Sequence, residues 1–189
     1  MTTLDQYPEL IRGIQERLIN EISGVALTHG ANELMAEMRT RIFTKGLNSD
    51  GSPIGNAYSE KPIYVSKDVF IRKGAFTPKG KTSKGNFKNG NERKTMFLEH
   101  GYKELRDIQA RQTDHVDWRY SGSLEKSIEV VREDERNVLI AITDGDESAK
   151  RKGLEERSNQ KVFTPSESDM THYENVMADE IEKIVESIV

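Results

Sequence analysis

The sequence predicts an α+β fold, with helices towards both ends of the chain and antiparallel strands between them. Apolar residues recur every three to four positions near both ends, and two short apolar runs flank a charged turn in the middle. A basic, glycine-rich segment without apolar periodicity predicts a long inserted loop. A chain of 189 residues suits one domain. We therefore expect residues 1–189 to form a single unit, with residues 45–95 inserted in it.

Three helices are predicted. Residues 8–44 form the first, with an expected break at residues 28–32 where Asn32 would cap the resumed helix. Its apolar stripe is Leu10, Ile14, Leu18, Ile22, Val25, Leu34, Met38 and Ile42. Residues 96–111 form a shorter one. Residues 166–189 form the third, capped by Ser166 or Ser168. We expect its stripe to lie in the core: Met170, Tyr173, Met177, Ile181, Ile184 and Ile188.

The strands are predicted from alternation and turn chemistry. Residues 61–71 read as a strand, at a sheet edge because Pro62 cannot donate a ladder hydrogen bond. Residues 127–131 and 138–142 read as a hairpin whose turn lies in the charged residues 133–137. The start of the chain has no apolar segment behind a basic one, so we expect no signal peptide. No apolar run reaches the length of a membrane span, and we expect no membrane contact.

Charge is distributed unevenly along the chain. Residues 45–95 hold eleven Lys/Arg against four Asp/Glu, which leaves the remainder with seventeen against twenty-eight. The centre of the basic window, residues 72–94, is predicted to be an extended loop rather than a packed element. Its charges suit either nucleic-acid phosphates or the acidic face of a neighbouring subunit, and the sequence does not decide between them. The candidate contact residues are Arg72, Lys73, Phe76, Lys79, Lys81, Lys84, Phe87, Lys88, Arg93 and Lys94.

Ser123 and Lys126 have the Ser-x-x-Lys spacing of a serine acyl-enzyme. With 14 Ser and 15 Lys, about one such pair is expected by chance, and two occur. Glu125 and Glu129 make the surroundings acidic and would keep Lys126 protonated. We therefore interpret the segment as a joint between two elements, where Gly122 makes a tight turn and Leu124 enters the core. The alternative, a hydrolase that uses Ser123, stays open.

Other chemical candidates have simpler interpretations. Asp114, His115 and Asp117 lack the paired-histidine spacing of a zinc helix and are interpreted as a solvated turn. Residues 48–52 resemble the start of a calcium loop but lack its closing glutamate, so a turn is expected. Trp118 is interpreted as a core or subunit-interface anchor. The chain has no Cys, which excludes thiol chemistry and disulfides. We expect no catalytic, cofactor or metal site, and not an enzyme.

Four short blocks spread over most of the chain resemble those of tailed-bacteriophage virion morphogenesis proteins, the tail-completion and head–tail joining group. The first contains residues 41–43, Asp50-Gly51-Ser52 and Tyr58-Ser59. The second is the run of residues 97–106, FLEHGYKELR. The third is residues 120–124 with Ser127-Ile128, and the fourth is residues 161–166. The chain departs from the family pattern at Ile54, near the family's Trp, at residues 150–154 and at residues 161–163.

The resemblance implies a fold in which a small antiparallel sheet packs against the N- and C-terminal helices. It implies a structural virion component that forms a ring of six or twelve copies at the head–tail connector or tail end. Its partners would be other neck, portal-adaptor or tail proteins, with contact to packaged DNA, and it would reside in the virion after assembly in the host cytoplasm. The competing interpretation is a non-specific nucleic-acid-binding protein that uses residues 72–94.

Overall fold

A computed structural model describes residues 7–77, 82–86, 90 and 92–188. For Tyr7, residues 82–86 and residues 92–93, only the backbone is described. The fold is α+β, with helices joined to two small antiparallel sheets. This confirms the fold class that the sequence predicts.

The N-terminal helix is continuous over residues 7–44. It consists of α1 (Tyr7–Glu21), a π-helical turn (Ile22–Ala26), α2 (Leu27–Arg39) and a second π-helical turn (Thr40–Thr44). At 1.5 Å per residue it is about 57 Å long. The predicted break at residues 28–32 is wrong. The Asn32 side chain donates a hydrogen bond to the Thr28 carbonyl one turn back (2.8 Å), and so does not cap a new helix.

The C-terminal helix α6 (Glu167–Ile188) packs along α2. A Cβ at Gly30 would lie 2.6 Å from the Met177 sulfur, so glycine allows this close approach. Ser166 begins α6 as predicted, because its hydroxyl accepts a hydrogen bond from the Asp169 amide (3.1 Å). The Asp169 carboxylate in turn accepts one from the Ser166 amide (2.9 Å). This reciprocal pair is a capping box in which Asp169, three residues after the N-cap Ser166, takes the place of the usual glutamate or glutamine.

A buried arginine joins the two long helices. The Arg41 Nε donates to the Asp169 carboxylate (2.8 Å), and both side chains are less than a tenth exposed. The remaining Arg41 nitrogens donate to the carbonyl oxygens of Leu47, Val162 and Thr164. The guanidinium is therefore paired and hydrogen-bonded at once, which is the condition for burying a charge without a large penalty.

A three-stranded sheet follows the N-terminal helix. Its strands are β1 (Ile63–Ser66), β2 (Thr82–Asn86) and β3 (Glu92–Leu98), in the order β1-β3-β2 with both pairs antiparallel. The edge position of β1 was predicted, although β1 is shorter than residues 61–71. The helix predicted from residue 96 is wrong at its start. Met96 and Leu98 are buried on either side of the half-buried Phe97, which is the alternation of a strand. Helix α3 (Gly101–Ile108) begins after them.

The basic segment, residues 72–94, contains regular structure where it is described. A 3₁₀ turn spans Lys73–Ala75, and β2 pairs with β3 along its whole length. The expectation that no regular element lies here is wrong for these residues. Backbone hydrogen bonds between strands need no apolar pattern, which is why periodicity did not reveal them. Residues 78–81, 87–89 and 91 lie outside the described residues.

The predicted hairpin is confirmed as β4 (Ile128–Arg132) and β5 (Val138–Ile142). The short α4 (Ser123–Lys126) precedes it, and α5 (Gly145–Ser158) follows it. Helix α5 was not predicted, because it has no fully buried residue and only a weak apolar pattern. Its local signal is Asp144, whose carboxylate accepts a hydrogen bond from the Glu147 amide (3.0 Å).

Two apolar clusters form the core. The first joins the end of the N-terminal helix to the hairpin: Ile42, Phe43, Ile54, Leu124, Ile128 and Val162. The second lies under the three-stranded sheet: Val65, Phe70, Met96, Leu98 and Leu105. The segment 45–95 supplies members of both clusters, so a large part of it belongs to the packed body. Within the described residues, every helix is too short or too polar to cross a bilayer.

The stripe of α6 is only partly core, which corrects the sequence prediction. Met170 is 37 % exposed and Ile181 is half-buried, whereas Ile184 is 7 % exposed. We expect Ile184→Ala to lower the free energy of unfolding by about 2–5 kcal/mol in chemical denaturation, because it leaves a cavity between packed helices. The neighbouring Val185→Ala, at a position 41 % exposed, is the control and should change stability by less than about 0.5 kcal/mol. Equal effects of both changes would contradict this packing.

Candidate functional site

A buried ion pair lies beneath a groove lined by residues of α3, the loop after it and α5. Arg106 on α3 and Asp117 on the following loop are each 2 % exposed or less, with a nitrogen–oxygen distance of 3.1 Å. The Tyr58 hydroxyl donates to the Asp117 carboxylate (2.8 Å), and the Arg106 guanidinium lies 4.3 Å from the centre of the Tyr58 ring. Asp117 is therefore not part of a solvated turn, which corrects the sequence interpretation of residues 114–117.

Aromatic side chains form the walls of this groove, which has a volume of about 690 Å³. The ring centre of Tyr102 lies 5.6 Å from that of Tyr58 and 6.1 Å from that of Tyr120. The Tyr120 hydroxyl donates to the Val69 carbonyl (2.6 Å), which ties the groove to the 3₁₀ turn Lys67–Val69 that follows β1. Trp118 stacks on Phe163 and packs against the first core cluster, which agrees with a core anchor.

Burial shifts the tyrosine ionisations in this groove. Desolvation raises the pKa of Tyr58 well above its ordinary value of 10.0, and it also raises the pKa of Tyr102 and Tyr120. A pKa raised by folding means that the folded chain holds the proton more tightly than the unfolded chain. The resulting stabilisation is fully present below about pH 10, the ordinary tyrosine value, and is lost as the pH rises above it.

We expect the free energy of unfolding of the wild type to fall above about pH 10 more steeply than that of Tyr58→Phe. The variant lacks the hydroxyl and so loses this proton linkage, although it starts less stable because Asp117 has lost a hydrogen bond. Urea unfolding at several values between about pH 9 and 11.5, on both sides of the ordinary tyrosine pKa, would measure both slopes. Parallel slopes would show that Tyr58 ionises equally easily in the folded and unfolded chains.

The Ser-x-x-Lys segment is a turn of the scaffold. Gly122 has a φ of +83°, which favours glycine, and Leu124 is 3 % exposed in the first core cluster. The Ser121 hydroxyl accepts a hydrogen bond from the Ser123 amide (3.2 Å), and the two hydroxyls are 2.7 Å apart. These contacts agree with the predicted joint between α4 and the hairpin. That the chain is not an enzyme stays a prediction.

Within the described residues, no group of three or more His, Asp or Glu side chains is placed to hold a metal ion. The calcium-like residues 48–52 form a turn, as predicted. The Asn48 side-chain oxygen accepts hydrogen bonds from the amides of Asp50 (3.1 Å) and Ser52 (3.0 Å). An asparagine that bonds the backbone ahead of it in this way is typical of an Asx turn.

Of the ten candidate contact residues, those that the structure describes lie on several different elements. Arg72 and Lys73 are exposed beside the 3₁₀ turn, and the Lys73 ammonium donates to the Asp68 carbonyl (3.1 Å). Phe76 is half-buried and its ring packs edge-on against Phe70 at 5.3 Å, so it anchors the segment to the second core cluster. Lys84 lies on β2, and Arg93 and Lys94 lie on β3. Lys79, Lys81, Phe87 and Lys88 lie outside the described residues.

The strand register concentrates positive charge. Lys84 lies directly opposite Lys94, and Gly85 lies opposite Arg93. Like charges at directly opposed positions destabilise an antiparallel pair. The register therefore brings basic residues of β2 and β3 together, and a negatively charged surface would complement them.

The complementary charge lies on the C-terminal helix. Helix α6 carries seven acidic residues against one basic residue, Lys183, which pairs with Glu180. Among the described residues, no ion pair involves its exposed acids Glu167, Glu174, Asp179, Glu182 and Glu186. The same chain therefore presents a basic hairpin and an acidic helix.

Helix α1 carries an exposed apolar stripe of Leu10, Ile11 and Ile14, of which Leu10 and Ile14 belong to the predicted helical stripe. Leu10 and Ile11 are each 52 % exposed and Ile14 is 41 % exposed, while Ile19, on the opposite side of the helix, is 50 % exposed. The apolar residues of α2, in contrast, pack against α6 and the hairpin. The intervening π-helical turn has a longer repeat than an α-helix and changes the register between the two faces. Amphipathic periodicity predicts a buried face but cannot say which molecule covers it.

The blocks that carry the phage resemblance occupy structural positions. Ile54, near the family's Trp, is 1 % exposed in the first core cluster. Gly101 has a φ of +62°, and a Cβ there would lie 2.3 Å from the Lys61 carbonyl oxygen. Val162 is fully buried, and Ser166 caps α6. The fold and surfaces are thus those of an α+β protein with apolar and charged faces left uncovered. No family model, curated protein or solved structure matches the chain.

Proposed function

We propose that the chain is a structural component of a tailed-phage virion, which forms a ring at the head–tail connector or at the end of the tail. The observation that carries this proposal is the apolar stripe of α1. Leu10, Ile11 and Ile14 lie on one face within little more than one turn of the helix, and each is at least 41 % exposed. Such a stripe on a helix of a small protein marks an interaction surface that another molecule covers.

Two further features support an assembly subunit. The blocks that resemble those of virion morphogenesis proteins supply core, turn and cap positions, as expected of residues that maintain a scaffold. The charges are divided between a basic hairpin and an acidic helix, and opposite charges on separate surfaces of one chain favour association between copies. The partners in this proposal are further copies of the chain, other neck or tail proteins, and packaged DNA near the ring.

The proposal is tested in purified particles of the phage that encodes the chain. We expect the chain in stoichiometric amounts, in six or twelve copies per particle, and antibody labelling at the neck or tail end in electron micrographs. A chain abundant in infected cells but absent from particles would contradict a structural role.

The second candidate is a nucleic-acid-binding protein, favoured by the opposed Lys84 and Lys94. Because binding to phosphates releases counterions, affinity for duplex DNA would fall steeply with salt and would be insensitive to DNA sequence. Fluorescence anisotropy with an arbitrary duplex, between about 50 and 200 mM salt and at about 1–100 μM protein, covers the range of non-specific DNA affinities. Tight, salt-dependent binding by single subunits would favour this second candidate over the virion component.

A further inference from the structure

An apolar cleft of about 300 Å³ lies between α2, β5 and the start of α6. All ten residues that line it are apolar: Leu27, Ala31, Leu34, Met38, Val138, Leu139, Ile140, Phe163, Pro165 and Tyr173. Leu139 at its mouth is 44 % exposed. A second space of about 260 Å³ adjoins it and shares Met38, Ile140 and Phe163. Ser148 and Arg151 also line this second space, so the apolar part of the opening is the cleft between α2, β5 and α6.

The stripe of α1 cannot fill the cleft of its own chain. Helices α1 and α2 are segments of one continuous helix, and α2 itself forms a wall of the cleft. Ile14 precedes Leu27 by thirteen residues, which is about 20 Å along a helix axis. For α1 to fold back, the helix would have to break within Ile22–Ala26, where it is continuous. Helix α1 of the same chain therefore cannot occupy the cleft.

We infer that α1 of one copy docks its apolar stripe in the cleft between α2, β5 and α6 of the next copy. This inference rests on the proposed ring and names the contact that would build it. Leu10 and Ile14 are one turn apart on the same face of α1. An apolar cavity of about 150 Å³ holds one benzene-sized group, so a cleft of twice that volume suits these two side chains. The cleft has no charged residue in its lining, so docking leaves no ion unpaired there.

The contact is head-to-tail, because the donor stripe and the acceptor cleft are different surfaces of the same chain. A head-to-tail contact closes into a ring when its rotation divides a full turn. The exposed parts of a few aliphatic side chains offer much less area than the about 800 Å² per partner that is buried in a stable complex. A single contact is therefore weak, whereas ring closure gives every copy two contacts. At equilibrium we therefore expect mainly free subunits and closed rings, with very few dimers.

Cysteine cross-linking tests the contact directly, because the chain has no native cysteine. Two double variants, Leu10→Cys with Leu139→Cys and Ile14→Cys with Leu139→Cys, sample adjacent turns of the docked helix. Oxidation, or a short bifunctional maleimide, should convert at least one of them to a ladder of trimers and larger species on denaturing gels. The three single variants are controls and should remain monomeric on the same gels. Circular dichroism of each variant verifies the fold.

Each outcome bears on the contact. A ladder from a double variant with monomeric single variants supports it. Efficient dimers from Ile14→Cys alone would indicate a symmetric pairing of two α1 helices and overturn it. Rings in electron micrographs without a ladder from either double variant would overturn this docking mode while leaving the ring proposal intact. Neither rings nor a ladder would contradict both.

Discussion

Replacing Asp117 with alanine is expected to lower the free energy of unfolding by about 3–5 kcal/mol, because the change leaves a buried guanidinium without its counter-ion. Arg106 is 1 % exposed and donates to the carbonyls of Gln112 and Arg119 as well as to Asp117. Those two carbonyls are neutral and cannot compensate the charge. Tyr58 would lose its acceptor in the same variant. Urea denaturation followed by circular dichroism measures the effect.

An exposed ion pair provides the matched control. Glu60 pairs with Lys103 at 2.7 Å, but the two side chains are 61 % and 44 % exposed. Water screens such a pair, and Glu60→Ala should leave the denaturation midpoint nearly unchanged. If Asp117→Ala were as harmless as Glu60→Ala, the ion pair beneath the aromatic groove would not hold α3 to the following loop.

Neutralising the basic segment, residues 72–94, is expected to abolish ring assembly while the subunit stays folded. The variant carries glutamine at Lys79, Lys81, Lys84 and Lys88, which removes four of the eight positive charges in the segment. Phe76 is kept because it packs on Phe70, so a deletion that begins before residue 77 would also damage the core. Sedimentation velocity should find folded monomers at concentrations where the wild type forms rings.

The control removes the same charge from exposed lysines elsewhere, with glutamine at Lys45, Lys61, Lys126 and Lys152. This control variant should still assemble. If both variants assembled normally, the separation of charge along the chain would have no role in association. The same two variants also test DNA binding. If the basic segment binds DNA phosphates, the variant of Lys79, Lys81, Lys84 and Lys88 should show a shallower plot of log DNA-binding constant against log salt concentration than the wild type, by up to about 3.6 for four contacts. The control variant should keep the wild-type slope.

The helices and the hairpin could be predicted because their signals are local. The stripe of residues 8–44 is read from spacings of three and four residues. The cap at Ser166 and the charged turn before Val138 are each read from a few neighbouring residues. The failures have a common physical cause. Leu98, Leu105 and Ile108 have the spacings of a helix, whereas Met96 and Leu98 alternate as in a strand, and pairing with β1 decides for the strand. Helix α5 is solvated on most of its surface, so it has almost no apolar period to detect.

The candidate surfaces were harder to predict than the fold. Sequence separation hides the pairing of Arg41 with Asp169, which are 128 residues apart. Asp117 was interpreted as part of a solvated turn because Asp114, His115 and Asp117 lack a metal-site spacing, and the sequence does not reveal its pairing with Arg106. The apolar residues of α1 were recognised, but periodicity does not tell whether a stripe faces its own core or another chain. The charge of residues 72–94 is visible in composition, whereas the opposition of Lys84 to Lys94 requires the strand register.

Electron microscopy of the purified wild-type chain tests the central claim, that the chain is built to assemble with copies of itself. Negatively stained samples at increasing protein concentration should contain closed rings of uniform size, with sixfold or twelvefold symmetry in class averages. The apolar stripe of α1 would then be covered in every copy. A field of single particles of about 21.5 kDa at all concentrations, with no rings, would contradict the account.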